Sequence, residues 1–150
     1  MVLDAILAYL HFSAIFILFA FLSVELVMLR DPLDAAGIRK LARIDLWYFG
    51  AAMAVLLTGF LRLGLGAKGA DFYMGSWPFY VKIALFLAVG IMSVWPTLRF
   101  IRWRRMLERD AGWKVPEAER RLVRRLVMVE LHLAAFIPLV AVIMSRGLGR

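Results

Sequence analysis

The sequence predicts an all-α integral membrane protein: four transmembrane helices in an up-down bundle. Three observations carry that reading. Hydrophobic residues make up 63% of the chain and mean hydropathy is +0.80, whereas a soluble domain is about 45–50% apolar. Four apolar runs each approach the length of about 20 residues that a spanning helix needs. The positive charge is unevenly placed. The connection 30–45 carries four Lys and Arg, and the stretch from Arg99 to Arg125 carries ten. The second connection has only Arg62 and Lys68, and the tail only Arg146 and Arg150. Basic connections stay on the cytoplasmic side. The pattern therefore predicts cytoplasmic loops at 30–45 and 101–125, both termini outside (periplasmic), and a multi-pass protein of the bacterial inner membrane.

The same numbers exclude several classes. A net charge of +8 and a pI near 10.6 would suit nucleic acid. The basic residues, however, lie in short segments between apolar runs, where they set topology and touch anionic lipid heads. No nucleic-acid partner is expected; the lipid bilayer is. The chain has no cysteine, which excludes disulfides, thiolate metal sites and covalent haem attachment. It has no glycine-rich phosphate loop and no HExxH spacing. At 150 residues it reads as a single transmembrane domain, 1–150. Met1–Asp4 has no positive n-region, so the first helix is expected to be retained.

The first span, 5–29, holds two strongly polar or ionisable side chains, His11 near its start and Glu25 near its end. At about 100° per residue they fall on one stripe, about 40° apart. Arg30-Asp31-Pro32 ends the span, and Asp34 to Arg43 reads as a short surface helix in the following loop. The second span, 46–65, opens on Trp47 and Tyr48, an interfacial aromatic pair. Gly50, Ala51, Ala52, Ala54 and Gly59 permit close helix approach, and Thr58 and Arg62 share a face. Gly64 to Trp77 reads as a loop, with Phe72, Tyr73, Trp77, Phe79 and Tyr80 as an aromatic belt. The third span, 79–100, carries Lys82 near its start and Ser93 on the same face, and Pro96 implies a kink or an early stop. Pro116 to Glu119 looks like a helix start that runs on into the fourth span, 126–145, with Glu130 and His132 inside it.

Ionisable groups in hydrocarbon are costly and are functional candidates by default. With the ends fixed by charge, His11, Arg62 and Lys82 fall at one level near the outer end. Imidazole suits three roles there: a structural hydrogen bond, a haem or metal ligand, or proton transfer. Lys82 either snorkels to the interface or pairs with an anion such as a porphyrin propionate or a lipid head. Glu25 and Glu130 lie toward the arginine-rich rim, where an ion pair with Arg124, Arg125, Arg43 or Arg99 competes with a proton-relay role. His132 points about 200° away from Glu130. A haem bridging His11 and His132 would need ligands at one depth, whereas the spans separate them by about 10 Å.

Several stretches together resemble a known family. AYLHFSAIFILFAFLSVELVMLR, RKLARIDLWYFGAAMAVLLTGFLRL, FYVKIALFLAVGIMS and VELHLAAFIPLVAVIM are similar to the four spans of HemJ-type protoporphyrinogen oxidases, with His11, Lys82 and Glu130 at matching places. The whole chain resembles uncharacterised four-helix bacterial membrane proteins that look distantly similar to HemJ and to copper-resistance D-like proteins. Three departures are visible: Val129, not asparagine, precedes Glu130, His132 is present, and the basic stretch before the fourth span is long. The resemblance implies an oxidoreductase associated with haem b. His11 would be the iron ligand (its only role as a metal ligand) and Lys82 an essential site residue; His132 is a second cofactor-binding candidate from the residues alone, not from the resemblance. With Arg62, which the depth reading adds, Lys82 and Glu130 are the catalytic candidates.

The function expected is thus a haem-b-associated membrane redox protein, coupled to a quinone or porphyrin. The alternative is a non-enzymatic membrane protein, an accessory subunit or small transporter-like bundle, whose His, Lys and Glu are structural or proton-relay groups. Self-association or a membrane-complex partner is open to either, through the small residues of the second span.

Overall fold

The computed structural model describes residues 2–66 and 70–147; Lys68, Arg150 and the side chain of Phe72 lie outside the described residues. Among the described residues five helices follow one another: α1 (Val2–Met28), α2 (Ala35–Leu65), α3 (Ala70–Met74), α4 (Trp77–Arg109) and α5 (Glu117–Ser145). No strand occurs among the described residues. The four long helices are each long and apolar enough to cross a membrane.

They form a ring in which α1 packs on α2, α2 on α4, α4 on α5 and α5 on α1. Each neighbour runs antiparallel, as the cross-links require. His11, early in α1, meets Thr58, late in α2. Asp45, early in α2, meets Thr97, late in α4. Arg99, late in α4, meets Glu119 at the start of α5, and Arg120 of α5 meets the end of α1. This is the expected up-down bundle.

The core follows seams spaced three and four residues apart. In α1 the buried positions are Leu7, His11, Ala14, Leu18, Leu22 and Glu25; in α2 they include Ile38, Leu41, Asp45, Tyr48, Ala51 and Val55. α4 contributes Val89, Pro96, Phe100, Trp103 and Leu107, and α5 contributes Arg120, Val123, Val127, Glu130 and Ala134. A mean spacing near 3.5 is that of left-handed knobs-into-holes packing. Outside the seams the helices are apolar and uncovered: Phe16 and Ile91 are each 74% exposed. An apolar surface of that extent is at odds with water and is what lipid contact requires.

Three expectations about the connections are corrected by these seams. The segment 34–43 is not a separate surface helix. Asp34 caps the N-terminus of α2, accepting from the Gly37 amide at 2.6 Å, and Ile38, Leu41 and Ile44 carry the buried stripe without a break into the apolar part. Pro96 does not stop the third long helix. Phe100, Trp103 and Leu107 extend the seam beyond it, so packing carries α4 on to Arg109. The stretch 64–77 is not all loop, since it ends α2 and contains the single turn and a half of α3.

The end of α1 has no basic residue in its last turn. Arg120 supplies one from α5, donating to the carbonyls of Leu29 at 2.7 Å and Arg30 at 2.6 Å. A guanidinium over unsatisfied terminal carbonyls meets both their hydrogen-bonding need and the helix dipole.

Candidate functional site

The ionisable side chains that meet inside the spans form two groups, one at each end of the bundle. The first collects His11 with Arg62 and Lys82. His11 is buried at 6% exposure, and its Nδ1 lies 2.9 Å from Thr58 Oγ1. The Thr58 hydroxyl has one proton, and it donates that proton to the Ala54 carbonyl at 2.6 Å. The oxygen is then an acceptor, which assigns the imidazole proton to Nδ1 and leaves Nε2 with its lone pair. The ring also has a hydrogen-bonding contact with the Val55 backbone of α2. Gly59, next to Thr58, underlies the ring: a Cβ there would sit 3.4 Å from His11 Cε1, in ordinary contact.

Arg62 lies one turn beyond Thr58 on the same face of α2. Its Cζ sits 5.5 Å from the centre of the Phe12 ring, and its Nε is buried with no hydrogen-bond partner. Lys82, half-buried, comes from α4. Both cations are near enough to act electrostatically on the imidazole, and Arg62 on Lys82. None of the ion pairs described engages either cation. The predicted convergence of His11, Arg62 and Lys82 is therefore present in the structure.

Glu130 and His132 do not join it. Counting along α5 from the level where Arg120 meets Leu29, His132 falls about 9 Å short of the His11 level. It is exposed, and its Nδ1 lies 2.7 Å from the Met128 carbonyl of its own helix. The half-turn between Glu130 and His132 places one in the interior and the other outside.

Glu130 belongs to the second group, with Glu25 of α1 and Asp45 and Tyr48 of α2. All three carboxylates are buried, Glu25 at 2%, Asp45 at 6% and Glu130 at 1% exposure. Tyr48 donates its hydroxyl to Glu130 Oε1 at 2.5 Å, and Thr97 of α4 donates to Asp45 Oδ1 at 2.8 Å. Ser93 of α4 adds a hydroxyl beside Tyr48. Glu25 acts electrostatically on Asp45 and Glu130. Its Oε1 has no partner.

The expected ion pairs with rim arginines are absent among the described residues. Arg99 is drawn to Glu119 at 3.0 Å and over the Trp95 ring at 4.5 Å. Arg43, Arg124 and Arg125 are exposed, because they lie off the seams. Tyr48, expected at the interface beside Trp47, is buried; Trp47 stays outside at 61% exposure and stacks on Phe21. Asp45 is not among the residues expected at a site, because the basic connection 30–45 reads as a loop. Its signal was the spacing Ile38, Leu41, Asp45, Tyr48, which continues the apolar stripe. No group of three His, Asp or Glu among the described residues is arranged to hold a metal ion.

Compared with known proteins, residues 3–149 match the model of a family described as "Predicted membrane protein (DUF2214)". No curated protein and no solved structure matches the chain.

Proposed function

Because the chain belongs to this family of membrane proteins, we propose, with that as premise, a function at the His11 end: binding of an anionic, membrane-dissolved redox group, haem b. The observation that carries it is the buried Arg62 Nε without a partner, beside Lys82 and His11. A buried guanidinium nitrogen left unbonded is expensive, and a carboxylate is the group that satisfies it best. The donor set fits haem b in its chemistry: Arg62 and Lys82 for the carboxylates, and His11 Nε2 for the iron. When bound, haem supplies one-electron chemistry. The chain's own part is to hold and orient. Thr58 fixes the imidazole proton on Nδ1 and the ring's angle, as outer-shell partners do for ligating histidines. Phe12 covers the guanidinium face. Leu18, Leu22 and Val55, all buried, keep the span beyond the site dry.

The electron partner in this reading is a quinone or porphyrin within the bilayer, reached from the lipid side, where Phe12 is exposed. Orientation follows the charge count: the end bearing the connections between α1 and α2 and between α4 and α5 faces the cytoplasm of a bacterial inner membrane, and the His11 end faces the periplasm.

The test is a reduced-minus-oxidised visible spectrum of protein purified in mild detergent after haem-replete expression. Soret and α bands are expected, lost in His11→Ala and weakened in Arg62→Gln. Absence of both bands in the unmutated protein overturns the haem reading.

A further inference from the structure

Glu25, Asp45 and Glu130 come from three different helices, are all buried and lie close enough to act electrostatically on one another, with no cation beside them among the ion pairs described. Two of them accept a hydroxyl proton, from Thr97 and Tyr48. The third, Glu25, is 98% buried by its 2% exposure, and its Oε1 faces no donor. Three uncompensated negative charges in a low-dielectric interior are not tolerable together. Positive charge must enter the region with them.

We propose that Glu25, Asp45 and Glu130 form a proton-binding site inside the bundle, loaded through a groove between α2 and α4 that ends on Asp45. The groove has a volume of about 540 Å³. Asp45, Thr97 and Phe49 line it at one end and Arg104, Arg105 and Glu108 at the other. The last three are exposed, so the groove joins the buried carboxyl group of Asp45 to the basic end of the bundle. A proton delivered by water along this groove bonds to a carboxylate oxygen and leaves by the same route.

The groups facing the site are few. α1 contributes Glu25, α2 contributes Asp45 and Tyr48, α4 contributes Thr97 and Ser93, and α5 contributes Glu130. Arg104 and Arg105 stand at the groove mouth, two turns of α4 from Thr97. A directly ligated metal ion is the other source of positive charge, and the carboxylates do not converge as such a set. The site is separate from the His11 end. Along α1, Glu25 and His11 are fourteen positions, or about 21 Å, apart, and the seam between them is filled by Ala14, Leu18 and Leu22. The inference therefore does not rest on haem.

Infrared spectroscopy of the protein in lipid reads protonated carboxyl groups directly by their carbonyl stretch, which shifts in D2O. At neutral pH the unmutated protein is expected to show that band in choline chloride and unchanged in sodium chloride. Glu25→Gln is expected to lose part of it, and Asp45→Asn to slow its exchange into D2O. No band in the unmutated protein, or its removal by sodium, overturns the proposal, the second outcome assigning the site to a metal cation. Because the first measurement uses unmutated protein, it stands even if a variant fails to fold. It also leaves the visible spectrum of the His11 end untouched.

Discussion

Replacing Tyr48 by Phe removes one hydroxyl and leaves the ring in place. That hydroxyl is the donor to Glu130 Oε1 across the α2–α5 diagonal at 2.5 Å, with Tyr48 5% and Glu130 1% exposed. Two magnitudes compete. Hydrogen bonds between membrane helices average about 0.6 kcal/mol and reach about 1.7, because the separated helices find other partners. Hydrogen bonds to charged groups in proteins contribute about 1.5–3 kcal/mol. Here both partners are buried and none of the ion pairs described engages Glu130, so the upper part of the membrane range should apply. We expect a coupling of about 1.5 kcal/mol between Tyr48→Phe and Glu130→Met, roughly tenfold in the unfolding equilibrium. The assay is a double-mutant cycle from SDS-driven unfolding in mixed micelles, followed by tryptophan fluorescence. Buried Trp103 provides a core reporter. Additivity within about 0.3–0.5 kcal/mol, the behaviour of independent sites, would refute the claim that this bond joins α2 to α5.

Other outcomes follow from the same geometry. Arg120→Gln withdraws a charged donor from the Leu29 and Arg30 carbonyls and should destabilise the bundle by about 2–4 kcal/mol in the same assay; an unchanged midpoint would contradict the cap. Asp34→Ala removes the α2 N-cap bond to Gly37 and should cost about 1 kcal/mol. Gly59→Ala places a methyl in ordinary contact with His11 Cε1 and should leave stability nearly unchanged, whereas Gly59→Leu should overpack the ring and cost about 1–3 kcal/mol. Equal effects of the two Gly59 substitutions would remove the ring from that face. The chain has no cysteine, so Arg109→Cys and Gly75→Cys report topology cleanly. In inverted membrane vesicles a membrane-impermeant thiol reagent should label the first and spare the second.

The sequence by itself determined the four long helices, the up-down order and the polar positions of α1. Composition and run length fix spans, and short connections make neighbours antiparallel. Periodicity was enough to put His11 and Glu25 on one stripe, and helix ends inferred from charge were enough to bring His11, Arg62 and Lys82 level. What a helix's own sequence cannot carry is the identity of the side chains opposite it. Glu25 and Glu130 were matched to arginines because arginines were plentiful at that depth. Packing instead selected by face: the rim arginines lie off the seams, and Asp45 and Tyr48 lie on one. The Arg120 cap on α1 spans 91 residues of chain, and nothing local to either helix signals it. Tertiary structure decided these pairings because each depends on how far four seams slide past one another. That offset is set by side chains interlocking across all the helices at once, and continuous seams also carried α2 and α4 past the ends that local breakers had implied.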